Sequence, residues 1–143
     1  FDAVDTVKAC LTAFAGLVPG ITVNRERMRD AAGAGYSTAT DLADYLVTKG
    51  LAFRDAHAAV GQAVQFAIEK GLDLAEMKLP DLKRFSGVIE EDVFDVLSLE
   101  GSVASRDHIG GTAPRRVLEA IQKGRQRCQQ IHQWIEDNKL CDE

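Results

Sequence analysis

A chain of 143 residues is long enough for one core-forming domain, which buries roughly two-thirds of its unfolded surface. An apolar content of 45% with 27% charged residues excludes an intrinsically disordered chain. The net charge of −5 lacks the basic excess of a nucleic-acid surface, so no nucleic-acid partner is expected.

The first segment sets Val4, Val7, Leu11, Phe14 and Val18 at alternating spacings of three and four. Ala3, Cys10 and Leu17 widen the stripe, as in a helix packed on several bundle neighbours. Pro19-Gly20 ends it. Asn24 is positioned to cap a short helix reaching about Ala32, and Gly33-Ala34-Gly35 reads as a joint. The expected division is therefore residues 1–34, the end of a helical bundle with its connector, and residues 35–143, a small terminal helical domain. Phe1 falls inside a helical pattern, so the chain is expected to be a piece of something longer.

Thr38 with Asp41 three residues later is read as a capping box. Ala39, Leu42, Ala43, Leu46 and Val47 follow on one helical face, closed by Lys49-Gly50. The next helix is predicted over Phe53–Lys70, with Phe53, Ala56, Val60, Ala63, Val64 and Ala67 inward and Gly71 as its stop. Asp73 and Pro80 punctuate two shorter helical pieces, and Glu90-Glu91-Asp92 opens another that carries Val93, Val96 and Leu97. From 98 to 111 no helical period is found, apart from a short extended stretch near 102–105. Thr112-Ala113-Pro114 then starts the last long helix, whose seam is Val117, Ile121, Cys128, Ile131 and Ile135, broken by Gly124. The fold class is all-α. No apolar run is long enough to cross a membrane. Three scattered cysteines, Cys10, Cys128 and Cys141, suit reduced thiols in a cytoplasmic protein better than a disulfide framework.

Several residues carry candidate chemistry. Ser102, Ser105, Asp107 and His108 supply a serine, an acid and a histidine within one loop, but a triad needs groups converging from separate elements. Gly110-Gly111-Thr112 before a helix, with Arg115 and Arg116, could hold an anion; a capped, solvated helix start is the simpler reading. Cys128 and His132, four apart with Cys141 nearby, lack the paired ligand spacing of a zinc site. His57 is read as a hydrogen-bonded core or interface residue. The acids Asp41, Asp44, Glu90, Glu91 and Asp92 are read as helix-start electrostatics. Trp134 alone is weak evidence of a partner surface. No catalytic, cofactor-binding or metal-ligating residue is assigned.

The segment 35–57, which contains Thr38-Ala39-Thr40-Asp41-Leu42-Ala43-Asp44-Tyr45-Leu46-Val47 and Phe53-Arg54-Asp55-Ala56-His57, closely resembles the carboxy-terminal region of the argininosuccinate lyase family. The resemblance continues through Ala59-Val60-Gly61-Gln62-Ala63-Val64, through Ile89-Glu90-Glu91-Asp92-Val93, and along 99–114 to Gly110-Gly111-Thr112-Ala113-Pro114. It implies a mostly helical enzyme of the fumarase/aspartase superfamily, a homotetramer around a central helical bundle, without cofactor or metal. The implied reaction is cleavage of argininosuccinate to arginine and fumarate by β-elimination, the last step of arginine biosynthesis. A base removes a proton beside a carboxylate, an aci-carboxylate forms, and the C–N bond breaks. Such a step needs donors and positive groups preorganised around the developing charge.

The family's mobile Gly-Ser-Ser-x-Met-Pro-x-Lys loop, which carries its catalytic serine, has no match here. Gly101-Ser102-Val103 shares only the first two letters. The chain alone is therefore expected to be inactive and to play a structural part in its parent. The alternatives are a non-catalytic helical assembly module using the Val4 to Val18 stripe, a related fumarate-releasing lyase, or a crystallin-like relative without activity.

Overall fold

The computed structural model describes residues 1–138, and all regular structure among them is helical. The chain divides into two compact units, Phe1–Ala32 and Gly33 onward.

In the first unit, α1 (Asp2–Leu17) begins with Asp2 and Asp5 in its first turn, where acids suit the helix dipole. A 3-10 turn, Val18–Gly20, with Pro19 at its start, then stops it. Asn24 caps α2 (Arg25–Gly33) by accepting the Arg27 N–H at 3.0 Å, as expected from the sequence. The stripe on α1 lies bare, with Leu11 64% and Phe14 62% exposed.

The second unit contains the core. Gly35 and Tyr36 both adopt left-handed backbone, with φ of 76° and 56°, as the chain turns into α3 (Ala39–Thr48). Tyr36 is anchored there by its hydroxyl, which donates to the Leu72 carbonyl at 3.1 Å. α3 packs on α4 (Phe53–Lys70). The stop at Gly71 is a left-handed cap, in which the Leu72 N–H reaches back to the Ala67 carbonyl at 3.0 Å. Ala56, Val60, Ala63 and Ala67 form the buried face of α4. Phe53 does not join it: at the first helical position it is 66% exposed.

A 3-10 turn, Leu74–Glu76, carries the unit's capping box. Asp73 accepts the Leu74 N–H at 2.6 Å, while Glu76 accepts the Asp73 N–H at 2.8 Å. The box read at Thr38 and Asp41 is not formed, because the Thr38 side chain caps nothing. α5 (Leu79–Leu82) and α6 (Val93–Leu97) add Leu82, Val93 and Leu97 to a core that also holds Leu42, Leu46, Leu74 and Ile89.

The sequence offers no helical period across 98–111, yet a short helix, α7 (Leu99–Ser105), forms there. Ser98 initiates it by accepting the Gly101 N–H at 2.9 Å. Ser98→Ala is therefore expected to cost about 1 kcal/mol, measured as a drop in the urea midpoint at unchanged m-value. α8 (Pro114–Asn138) follows, with no buried side chain along its length. Among the described residues no single helix is long and apolar enough to cross a membrane.

Candidate functional site

Where α3 meets α6 and α7, a cleft of about 360 Å³ opens. Its lining includes Asp41, Asp44 and Tyr45 of α3, Val96 of α6, Ser105 of α7, and Arg106 just beyond. Asp41 is only 4% exposed, on the same helical face as Leu42, Tyr45 and Leu46. A carboxylate in that position requires partners. Arg106 approaches one of its oxygens at 2.8 Å, and the Ser102 hydroxyl donates to the other at 2.7 Å. Asp41 lies in the first turn of α3, as the helix-start reading has it, but it also has a longer reach. It ties α3 to residues 61 and 65 positions further along the chain.

Beside the cleft lies a second polar knot. The buried Tyr45 hydroxyl donates to Asp92 Oδ1 at 2.6 Å and accepts the Glu90 N–H at 3.0 Å. Lys49 Nζ donates to Asp92 Oδ2 at 2.8 Å. Burial, then the bond to Asp92, pushes the Tyr45 hydroxyl above its ordinary 10.0. The bond to Asp92 raises Lys49 above 10.5, and the bonds from Lys49 and Tyr45 hold Asp92 below 3.8. A lowered carboxylate adds stability above its ordinary value, and the gain is lost as pH falls through the folded value. Raised tyrosine and lysine groups add stability below their ordinary values, lost as pH rises through their folded values. Asp92→Asn is therefore expected to lower stability at neutral pH and to flatten both the acid arm below 3.8 and the alkaline arm above 10.0. Denaturant unfolding across that pH range checks this.

The remaining candidates from the sequence do not converge on one point. Ser102 serves Asp41, and the Ser105 hydroxyl donates to the Ser102 carbonyl at 2.8 Å while accepting from Arg106. Asp107 is held by Arg115 and Arg116, each at 2.8 Å, and the Arg115 contact keeps its carboxyl below the usual range. His108 is exposed, with Nδ1 3.2 Å from the Ile109 carbonyl. The Ser102, Ser105, Asp107 and His108 set is thus a series of local contacts. Arg115 and Arg116 also bind Glu119 at 2.9 and 3.3 Å, so acids of the chain itself already occupy the suggested anion donors.

Gly110-Gly111 turns under a tight constraint. Gly110 has φ 82°, and a Cβ on Gly111 would lie 1.9 Å from the Arg106 carbonyl. His57 is exposed rather than buried, with its ring 6.2 Å from that of Phe53. Cys128 is exposed and free, and His132 contacts Glu136 at 3.3 Å. Cys141 lies outside the described residues. Among the described residues no three histidines, cysteines or acids are placed to share a metal ion. Trp134 is 66% exposed.

What sequence reasoning missed is the pairing of Asp41 with Arg106 and Ser102. An acid spaced with the apolar face of its own helix was the available signal. Chemically, the cleft is closed on itself: its buried anion is matched by Arg106, and its serines are engaged with neighbouring groups. That arrangement holds helices together: Ser102 bonds the Asp41 carboxylate and Ser105 the Ser102 carbonyl, and neither is bonded to His108, whose ring faces the Ile109 carbonyl.

Residues 36–104 match the family model described as argininosuccinate lyase C-terminal. The chain is 64% identical over 127 residues to an argininosuccinate lyase of Nitrosococcus oceani, and 62% identical over 126 residues to one of Pseudomonas aeruginosa. These alignments take in 89% and 88% of the chain. The chain spans about a quarter of those relatives, 27% of each. Among solved structures it resembles EDDS lyase in complex with formate, at TM-score 0.69 and 32% identity. An EDDS lyase variant with bound fumarate gives TM-score 0.68 at the same identity. Each covers 80% of this chain and 25% of the other.

Proposed function

Because the chain belongs to the argininosuccinate lyase family, whose carboxy-terminal region it matches, we propose that it supplies that region to an enzyme cleaving argininosuccinate to arginine and fumarate. The parent acts by β-elimination in arginine biosynthesis, as a cytoplasmic homotetramer. Residues 1–34 end its bundle domain and residues 35–143 form its terminal helical domain. No residue of this stretch takes a catalytic, cofactor-binding or metal-binding role; its contribution is to close and brace the subunit.

The observation that carries this reading is identity of 64% with a curated argininosuccinate lyase across nearly the whole chain. A second support is chemical. The best-formed cleft spends Asp41, Arg106 and Ser102 on one another, as a brace does. The EDDS lyase likeness favours the same superfamily, but at half the identity it does not favour that substrate.

A chimera tests the reading. The matching residues of the Nitrosococcus oceani lyase are replaced by those of this chain, and argininosuccinate cleavage is followed by fumarate release. The expected result is a folded, active chimera. A folded chimera that has lost the activity overturns the proposal.

A further inference from the structure

α8 leaves the second unit with little packing to aim it. Among the described residues of this helix only Arg116 and Glu119 are half-buried, and every position from 120 to 138 is exposed. Ala113, just before the helix, is 4% exposed. One buried methyl group fixes a point of departure but no direction.

At that point two adjacent residues face opposite ways. Arg106 sends its guanidinium to the buried Asp41 of α3, at 2.8 Å. Its carbonyl accepts the Ala113 N–H at 3.4 Å and so closes the loop 106–113 at the neck. Asp107 turns instead to α8. Arg115 Nη2 donates to both oxygens of its carboxylate, at 3.0 and 2.8 Å, and Arg116 Nε lies 2.8 Å from Oδ1. Glu119, one turn further on, takes other nitrogens of the same two arginines at 2.9 and 3.3 Å.

Asp107, Arg115, Glu119 and Arg116 therefore form a closed ring of alternating charge. A single exposed ion pair restrains little, whereas a carboxylate shared by two guanidiniums in a network restrains both at once. The two half-buried residues of α8 both belong to this ring, so the ring is where the helix meets the unit.

We propose that Arg106 and Asp107 form a two-sided clamp that fixes the direction of α8 relative to α3. Arg106 holds the loop to the core, and Asp107 holds the helix to the loop. Asp107 is thus a positioning residue that acts through Arg115 and Arg116.

Double electron–electron resonance on the full chain tests the clamp. One nitroxide sits on the natural Cys128 of α8 and the other on Ala58→Cys, an exposed position of α4, with Cys10→Ser and Cys141→Ser removing the other thiols. A single narrow distance distribution is expected, and it is lost in Asp107→Ala. Lys83→Ala, which breaks an exposed ion pair elsewhere in the unit, is expected to leave it narrow. A second label pair lies within the core, at Ala58→Cys and Lys78→Cys with Cys128→Ser added. Its distribution is expected to stay the same in Asp107→Ala, which separates a freed helix from a loosened core. A narrow distribution between 58 and 128 that survives Asp107→Ala overturns the proposal. So does a broad one in the parent chain, a loss in Lys83→Ala, or a change between 58 and 78 in Asp107→Ala.

Discussion

Gly101→Ala is expected to destabilise the second unit by about 3 kcal/mol or more, while Gly61→Ala stabilises it by about 0.5–1 kcal/mol. Both glycines lie inside helices, and neither has a left-handed backbone. What differs is the space around them. A Cβ at Gly101 would stand 1.8 Å from the Asp95 carbonyl oxygen and 2.9 Å from both the Asp95 carbonyl carbon and Ser98 Oγ. The obstacle is backbone, so no rotamer change relieves it. α6 and α7 must separate, and with them the Ser98 cap and the contact of Ser102 with Asp41.

At Gly61, in the middle of α4, an added Cβ meets nothing within 4 Å, so only the backbone entropy of glycine changes. Urea unfolding of the two variants gives the comparison. A Gly101→Ala protein within about 0.5 kcal/mol of the parent would show that the α6–α7 corner has slack that this geometry denies.

Arg106→Ala is expected to cost about 3 kcal/mol, because it leaves the buried Asp41 carboxylate without the guanidinium that matches its charge. The magnitude sits at the low end for a broken buried pair, since Arg106 itself is 38% exposed and water can partly replace it. The double variant Asp41→Ala/Arg106→Ala removes both charges and should lose less than the sum of the two single losses. If the single Arg106→Ala change costs less than about 0.5 kcal/mol, the pair behaves as a surface salt bridge and the brace does not exist.

The long helices were legible because their signals are local. α4 is bounded by the motif at Phe53 and by Gly71, and α8 begins at Pro114; each boundary needs only residues a turn apart. α7 was not legible: Gly101 and Ser102 interrupt its apolar pattern, and its start rests on one serine side chain. At Asp41 only the helix-start position was legible, for a different reason. Its partners lie 61 and 65 residues away, and a window that sees only the helix start assigns the acid to the dipole. Phe53 and His57 show the limit of periodicity, which marks a face but does not supply a neighbour to cover its first turn. The chemistry of the family entered through resemblance; composition and spacing alone offered no active site.

The most direct test of the structural role is argininosuccinate cleavage by this purified chain, with circular dichroism showing it helical in the same buffer. The account predicts a folded protein that releases no fumarate above the uncatalysed background. Steady turnover by the folded chain, abolished by substitution of Ser102, Ser105, His57 or His108, would contradict it.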